Sequence, residues 1–246
     1  MNTKTVLATI AAATALAVPA AEIDDKVNTA LASDIRTDAE RARDANRRPL
    51  ETLKFLGLTD DMQVLELFPG GGWYTKILAP VLAENGRLAV SIFAQNVEAV
   101  AAEAGWDIDV IANDGYVPVE GTQRFTMTGM DFGESRFDMA LTFRNMHNFT
   151  DDGRTMLNAA VFRALKPGGL YGVVDHTRRH MQGDTDENWR REDPVRTIKE
   201  VQAAGFEFVD YSDLHYRPDD ELRYEVGRRS VTGNTDRFTL LFRRPE

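Results

Sequence analysis

Val64-Leu65-Glu66-Leu67-Phe68-Pro69-Gly70-Gly71-Gly72-Trp73-Tyr74 is the stretch on which the reading of this chain turns. An apolar run carrying one acid predicts a short strand over 63–67, the glycines predict a tight turn, and the pattern that follows predicts a helix over 73–82. Glycine permits positive φ and lets backbone come close to a ligand. A helix start adds N–H groups that have no partner within the helix. A dinucleotide-binding turn would read G-x-G-x-x-G, with an acid closing the second strand about 20 residues later. Thr75 stands at the last position of that pattern, and Val90-Ser91-Ile92-Phe93 carries no acid, which disfavours a nicotinamide cofactor.

Outward from this turn, short apolar runs alternate with helical patterns. Further strands are expected at 87–93, 137–143, 170–175, 206–211 and 237–242, and the third position has two candidates, 109–112 and 124–127. Further helices are expected at 97–104, 153–165 and 195–204, and Lys166-Pro167-Gly168-Gly169 reads as a turn. Repeated strand–helix units with near-continuous apolar strands mean a parallel sheet covered on both faces. The last two strands have no strong helix between them and are expected to pair antiparallel. The fold class is therefore α/β, with a seven-stranded, mostly parallel sheet that binds ligands beyond the carboxyl ends of its strands.

A chain of 246 residues with 43% hydrophobic content can bury the core of one ordinary domain. A formal charge of −10 argues against nucleic acid as a partner, because that needs a clustered basic face. The basic runs 41–48 and 178–179 have acids interleaved or nearby and read as solvated helix faces and loops. Cysteine is absent, which removes disulfides, thiolate catalysis, a lipidated anchor and Cys-ligated zinc. Residues 1–20 carry one base, Lys4, then an apolar Ala-rich run and the small residues Val18-Pro19-Ala20-Ala21. That is the pattern of a secretory signal peptide, so the expected location is periplasmic or secreted, with no stable membrane anchor after cleavage. Residues 21–48 read as an N-terminal helical extension and 49–246 as the main domain.

In its surroundings the glycine turn resembles motif I of class I S-adenosylmethionine-dependent methyltransferases, where a strand ends in an acid followed by a glycine-rich loop. Glu66-Leu67-Phe68-Pro69-Gly70-Gly71-Gly72 matches, with Glu66 as the acid and Phe68 in place of the first glycine. Met130-Asp131-Phe132, Arg136-Phe137-Asp138-Met139-Ala140-Leu141 and Leu165-Lys166-Pro167-Gly168-Gly169-Leu170 resemble later motifs of that family, in the same order. The resemblance covers roughly residues 50–245, and the joint spacing is far more specific than any one piece. Together with the leader it is similar to bacterial methyltransferases predicted to be exported. It implies a Rossmann-like sheet and methyl transfer from S-adenosylmethionine to a small-molecule acceptor. The alternative is an exported, non-catalytic binding or auxiliary protein that keeps the fold.

By resemblance, Glu66, Gly70, Gly71 and Gly72 hold the methionine end of the cofactor, Asp131 lies at the adenine, and Asn145 follows the fourth strand. Ser91 occupies the position where the family usually places an acid for the ribose hydroxyls. A serine is the weaker acceptor, so either a neighbour such as Gln95 or Asn96 holds the ribose or cofactor affinity is reduced or lost. On the acceptor side, His147 follows the fourth strand, with Asp175, His176 and His180 at or after the fifth. Histidine is the natural proton acceptor near neutral pH, so His147 or His176 is the expected general base. Neighbours on a strand point to opposite faces, so Asp175 is expected to face His147 or a backbone donor across strands rather than His176. The spacing lacks a helical i, i+4 ligand pair, and no metal is expected. The loops 178–193, with Trp189, and 214–233, with Tyr216 and Tyr224, lie at the same edge as candidate covers.

Overall fold

The computed structural model describes residues 20–113 and 115–246. The leader expected over 1–20 lies, apart from Ala20, outside the described residues. Four helices come first: α1 (Ala20–Ala32), α2 (Asp38–Arg41), α3 (Asp44–Arg47) and α4 (Pro49–Phe55). The alternating part follows as β1 (Gln63–Leu67), α5 (Thr75–Leu82), β2 (Arg87–Ser91), α6 (Gln95–Ala104), β3 (Asp109–Ile111), β4 (Tyr116–Pro118), β5 (Phe125–Met127) and β6 (Phe137–Phe143). A 3-10 turn at Met146–Asn148 leads into α7 (Asp151–Ala164), β7 (Leu165–His176), α8 (Pro194–Ala203), β8 (Glu207–Ser212) and β9 (Arg237–Arg243).

The main sheet has seven strands in the order β3-β2-β1-β6-β7-β9-β8. The first five in this order run parallel, while β9 is antiparallel to both β7 and β8. This is the expected α/β, Rossmann-like architecture. Strand alternation divides the core. Val64, Leu88, Val90, Met139 and Leu141 face the cluster shared with α1, α4 and α5. Leu65, Leu67, Ala89 and Ala140 face the opposite cluster, under α7 and α8. The chain leaves β1 towards β2 and β3, then returns to the other side of β1 as β6. The order therefore reverses between β1 and β6, where the glycine turn sits.

Two expectations are corrected. Residues 124–127 supply no strand of the main sheet: Phe125–Met127 pairs antiparallel with Tyr116–Pro118 as a separate ribbon, and Asp109–Ile111 takes the third position. The turn-rich composition of 113–121 concealed the first strand of that ribbon. Lys166-Pro167-Gly168-Gly169 is not a free turn either, since β7 runs through it. The pairing steps from Phe137↔Leu165 to Met139↔Leu170, so the segment is carried as an irregularity at the start of the strand.

Helix ends follow the local chemistry. Thr37 and Glu40 form a reciprocal capping box on α2. Asp193 caps α8 through the N–H groups of Val195 and Arg196, with Pro194 at the first helical position. The capped α2 and the α3 that follows bring Glu40, Arg43 and Arg47 to the glycine turn.

Candidate functional site

Strands β1, β2 and β6 end side by side, and each is followed by a non-glycine residue in the left-handed region. These are Phe68 (φ 56°), Ile92 (66°) with Phe93 (55°), and Arg144 (64°). Each conformation costs of order 1 kcal/mol or more and persists only where the surroundings enforce it. Phe68 is held by its N–H on the Ser91 carbonyl (3.0 Å) and by its ring against Phe149, centroids 4.8 Å apart. Arg144 is held by its N–H on the Val174 carbonyl, 2.6 Å.

Glu66 lies on the Val64 face of β1 and meets α5, where the Thr75 hydroxyl donates to its Oε2 at 2.6 Å. Thr75, which breaks the dinucleotide pattern, is thus the partner of the acid. Burial pushes the Glu66 carboxyl up to about 7, against the opposing pull of Thr75 and Arg47. The glycines divide by role. A Cβ on Gly72 (φ 78°) would meet Val97 Cγ2 at 3.2 Å, so this position serves packing and turn geometry. A Cβ on Gly70 or Gly71 would meet nothing within 4 Å. Those two face a cavity of about 240 Å³ bounded also by Glu66, Phe68, Arg144 and Asn145. Asn145 is fixed there by donating to the carbonyls of Phe143 (2.9 Å) and Phe68 (3.4 Å).

The ribose position is built differently from the expectation. Ser91 is fully buried, donates to the Ile111 carbonyl (2.8 Å) and accepts from Asn113 Nδ2 (3.0 Å), so its hydroxyl is committed within the protein. Asn113 also donates to the Asp131 carbonyl (3.1 Å) and accepts the Asp131 N–H (3.2 Å), tying the two expected positions together. Asp131 is exposed and its carboxylate accepts from Gly133 N–H at 2.8 Å. Neither Ser91 nor Asp131 lines the cavity beside the glycines. Gln95 and Asn96 stand exposed at the start of α6. Asn113, which joins the end of β3 to Ser91, was not singled out from sequence because only pairing across strands brings it there.

On the other side of β6, Asp175 gathers three donors. It accepts from His147 N–H (3.0 Å), His147 Nδ1 (2.6 Å) and His176 N–H (2.7 Å). Asp175 and the His147 side chain are therefore brought together, while the His176 ring turns away and pairs through Nδ1 with the Thr235 hydroxyl at 2.8 Å. Burial, followed by the charges of His147, Arg144 and Arg237, holds His176 well below 6.5, so its ring is neutral at physiological pH. Of these three residues, His176 lines a second cavity, of about 390 Å³, together with Arg43, Arg47, Arg144, Arg190 and Arg237. The two cavities share Arg43, Arg47 and Arg144 and so meet at a wall of guanidinium groups.

The reading of 41–48 and 178–179 as solvated faces holds for the exposed Arg43 and Arg179 but fails at Arg47 and Arg178. Arg47 is 5% exposed, with its guanidinium carbon 4.2 Å from the Trp73 ring centroid. Arg178 is buried and reaches Glu192 at 3.2 Å. The loop 178–193 is anchored rather than loose. Glu192 meets Arg154 at 2.9 Å, Arg191 meets Asp220 at 2.9 Å, and Asn188, Arg191 and Glu192 are fully buried. Trp189 sits 6.4 Å from His147, ring to ring. His180 is exposed and bound to Asp193, and Tyr216 lies on the surface. Among the described residues no group of His, Asp or Glu could hold a metal ion, and no helix is long and apolar enough to cross a membrane.

The strand order, the glycine turn after β1 and the antiparallel β9 define the Rossmann-like fold of class I S-adenosylmethionine-dependent methyltransferases. No protein-family model and no curated protein matches the chain. Several solved structures are similar to it. A SAM-dependent methyltransferase of Aquifex aeolicus aligns with a TM-score of 0.57 and 14% identity over 90% of this chain and 98% of that one. The 1,6-didemethyltoxoflavin-N1-methyltransferase of Burkholderia thailandensis, with bound 1,6-didemethyltoxoflavin and S-adenosylhomocysteine, aligns at 0.54 and 17% over 96% and 94%. The 4+2 cyclase SpnF aligns at 0.60 and 17% over 91% and 93%. At these identities the likeness is one of fold, and the cyclase shows that the fold serves other chemistry.

Proposed function

We propose that the protein transfers a methyl group from S-adenosylmethionine to a small-molecule acceptor seated in the cavity beside His176. The observation that carries this is the open face of Gly70 and Gly71, in a cavity that the buried Glu66 also lines and that shares Arg43, Arg47 and Arg144 with the acceptor cavity. That cradle fits the methionine end of the cofactor: backbone can approach closely, and Glu66 has an oxygen beyond the one that Thr75 occupies. At the ribose the fit is poorer, because the Ser91 hydroxyl is already satisfied within the protein.

When bound, the cofactor supplies a methyl group on a sulfonium, which is already an excellent leaving group. The chain's task is then to align the acceptor and to remove a proton from it. His176 suits the second task. In the tautomer whose Nδ1–H donates to the Thr235 hydroxyl, Nε2 of this neutral ring keeps a free lone pair, and that is the form the reaction requires. Asp175 and His147 serve as positioning residues, fixing the turn after β6 and the backbone of His176. Export is part of the proposal on the strength of residues 1–20, and periplasmic fractionation with sequencing of the mature N-terminus tests it.

Titration calorimetry of the full chain with S-adenosylhomocysteine tests the cofactor reading. Micromolar binding in the wild type and its loss in Gly71→Val are expected, since a side chain there fills the cavity without clashing with protein. Absence of binding at millimolar concentration refutes it. The committed Ser91 hydroxyl favours a second reading, a binding protein that retains the fold without turnover. Cofactor binding with no methylation across a broad acceptor panel selects that reading.

A further inference from the structure

The cavity of about 390 Å³ beside His176 has a charge pattern that methyl transfer alone does not require. Arg43, Arg47, Arg144 and Arg237 line it, in a chain whose overall charge is −10. Among the described residues none of the four has a carboxylate within 4.0 Å, although ion pairs are plentiful elsewhere. Arg190, on the same wall, is already paired with Glu225. The nearby acids do not pair with them: Asp175 accepts from three N–H donors, Glu40 binds Lys76, and Glu66 accepts at one oxygen from Thr75.

Arg47 and Arg237 are 5% and 6% exposed, and the Nε atoms of Arg47, Arg144 and Arg237 are buried without a hydrogen-bond partner. Buried donors with no acceptor cost the fold free energy, and buried like charges add to that cost. Burial and mutual repulsion push Arg47 down to about 8 and Arg144 and Arg237 down to about 10. A bound anion would offset both costs at once. The guanidinium fork matches carboxylate and phosphate oxygens, and one negative charge neutralises only part of the group. Ala42 and Val226 contribute the apolar lining, with Asn46, Thr232, Thr235 and His176 the other polar side chains, so the pocket favours a compact polar guest.

We infer that this cavity binds the acceptor through at least two negative charges, carried as phosphate or carboxylate groups, and that Arg144 and Arg237 are its principal anchors. Arg144 lines the cavities on both sides and Arg237 pairs across β7 and β9 with His176, so an anion held by the two brings the rest of the acceptor towards the glycine turn and His176. The inference rests on the methyl-transfer reading for the word acceptor, and on the cavity alone for the anion.

Calorimetry and thermal unfolding of the full chain with inorganic pyrophosphate, citrate and acetate as probes test it, with S-adenosylhomocysteine titrated in parallel. Pyrophosphate or citrate is expected to bind and raise the melting temperature, and acetate to do neither. Arg237→Met and Arg144→Met should each weaken the polyanion about tenfold or more, as loss of a charge-assisted pair requires. Arg237→Lys and Arg144→Lys should retain part of the affinity, and Arg243→Met, exposed at the far end of β9, should retain all of it. Without anion the Met variants should melt at or above the wild type, because a like charge has gone; a purely structural arginine would show the reverse.

Failure of both polyanions to bind at roughly 10 mM, while S-adenosylhomocysteine binds, overturns the inference and leaves the methyl-transfer reading standing. Polyanion binding without S-adenosylhomocysteine binding supports the anion site and refutes that reading. Competition between the polyanion and S-adenosylhomocysteine, with both weakened equally in the Met variants, assigns the arginines to the cofactor's own carboxylate and overturns the acceptor assignment. Equal weakening in Arg243→Met reduces the effect to general charge attraction and also overturns it.

Discussion

Glu66→Gln isolates the energetic cost of a buried acid at the centre of the site. The folded carboxyl titrates at about 7 against an ordinary 4.5, principally because burial penalises the charged form. Below pH 4.5 the group is protonated whether the chain is folded or not, and it has no effect on the pH dependence of stability. Between 4.5 and about 7 the unfolded chain releases the proton while the folded chain holds it, so wild-type stability falls as pH rises through this window. At about 1.4 kcal/mol for each tenfold difference in proton affinity, the full loss is about 3 kcal/mol. Glutamine has no such titration and keeps an acceptor for the Thr75 hydroxyl. Urea unfolding of both proteins at a series of pH values from 4.5 to just above 7 gives the assay, and the difference between them cancels every other titrating group. The variant should gain on the wild type steadily across the window, by about 3 kcal/mol from its bottom to its top, a change fixed by the two pKa values. A difference that stays flat with pH refutes the buried, raised carboxyl, and one that shrinks reverses its sign.

Further outcomes follow from the same geometry. Gly72→Ala should lose about 1–3 kcal/mol in urea unfolding, because φ is 78° and the new methyl meets Val97, whereas Gly71→Ala should stay within about 0.5 kcal/mol. Asp175→Asn replaces an acceptor of three N–H groups by one that is half donor; about 2–3 kcal/mol of stability should go, and methyl transfer should fall with cofactor affinity intact. Asp220→Ala leaves the fully buried Arg191 unpaired and should cost about 3–5 kcal/mol by urea denaturation. A pH–rate profile that depends on His176 should show no loss of rate on passing down through pH 6.5, since the folded ring protonates only well below that value.

The resemblance rested on short motifs, each made of near neighbours along the chain and recurring in a fixed order. Glu66 and Gly70–Gly72 belong to one strand and its turn, and their joint role came from the resemblance that this turn and the later motifs carry together. Strand periodicity likewise led to the seven-stranded sheet, since Val64, Leu65 and Leu67 alternate between its two faces whatever packs above them. The short β4–β5 ribbon escaped, because three-residue strands rich in turn formers carry almost no periodic signal. Asp175 facing His147 followed from alternation on β7 together with the neighbouring position of β6.

The strands and helices of the main sheet and the glycine turn were legible along the chain, because they depend on contacts within a few residues or on a repeating pattern. The tertiary structure alone decided which charges are buried and which polar groups are already satisfied. Arg47 looks like one base among several on a polar helix, and only the packing of α3 over Trp73 takes it out of water beside Arg144 and Arg237, from distant parts of the chain. Ser91 looks like an available hydroxyl until β3 and Asn113 close over it. Burial and electrostatic pairing are sums over neighbours in space, and those neighbours here come from the N-terminal helices, β6 and β9 at once.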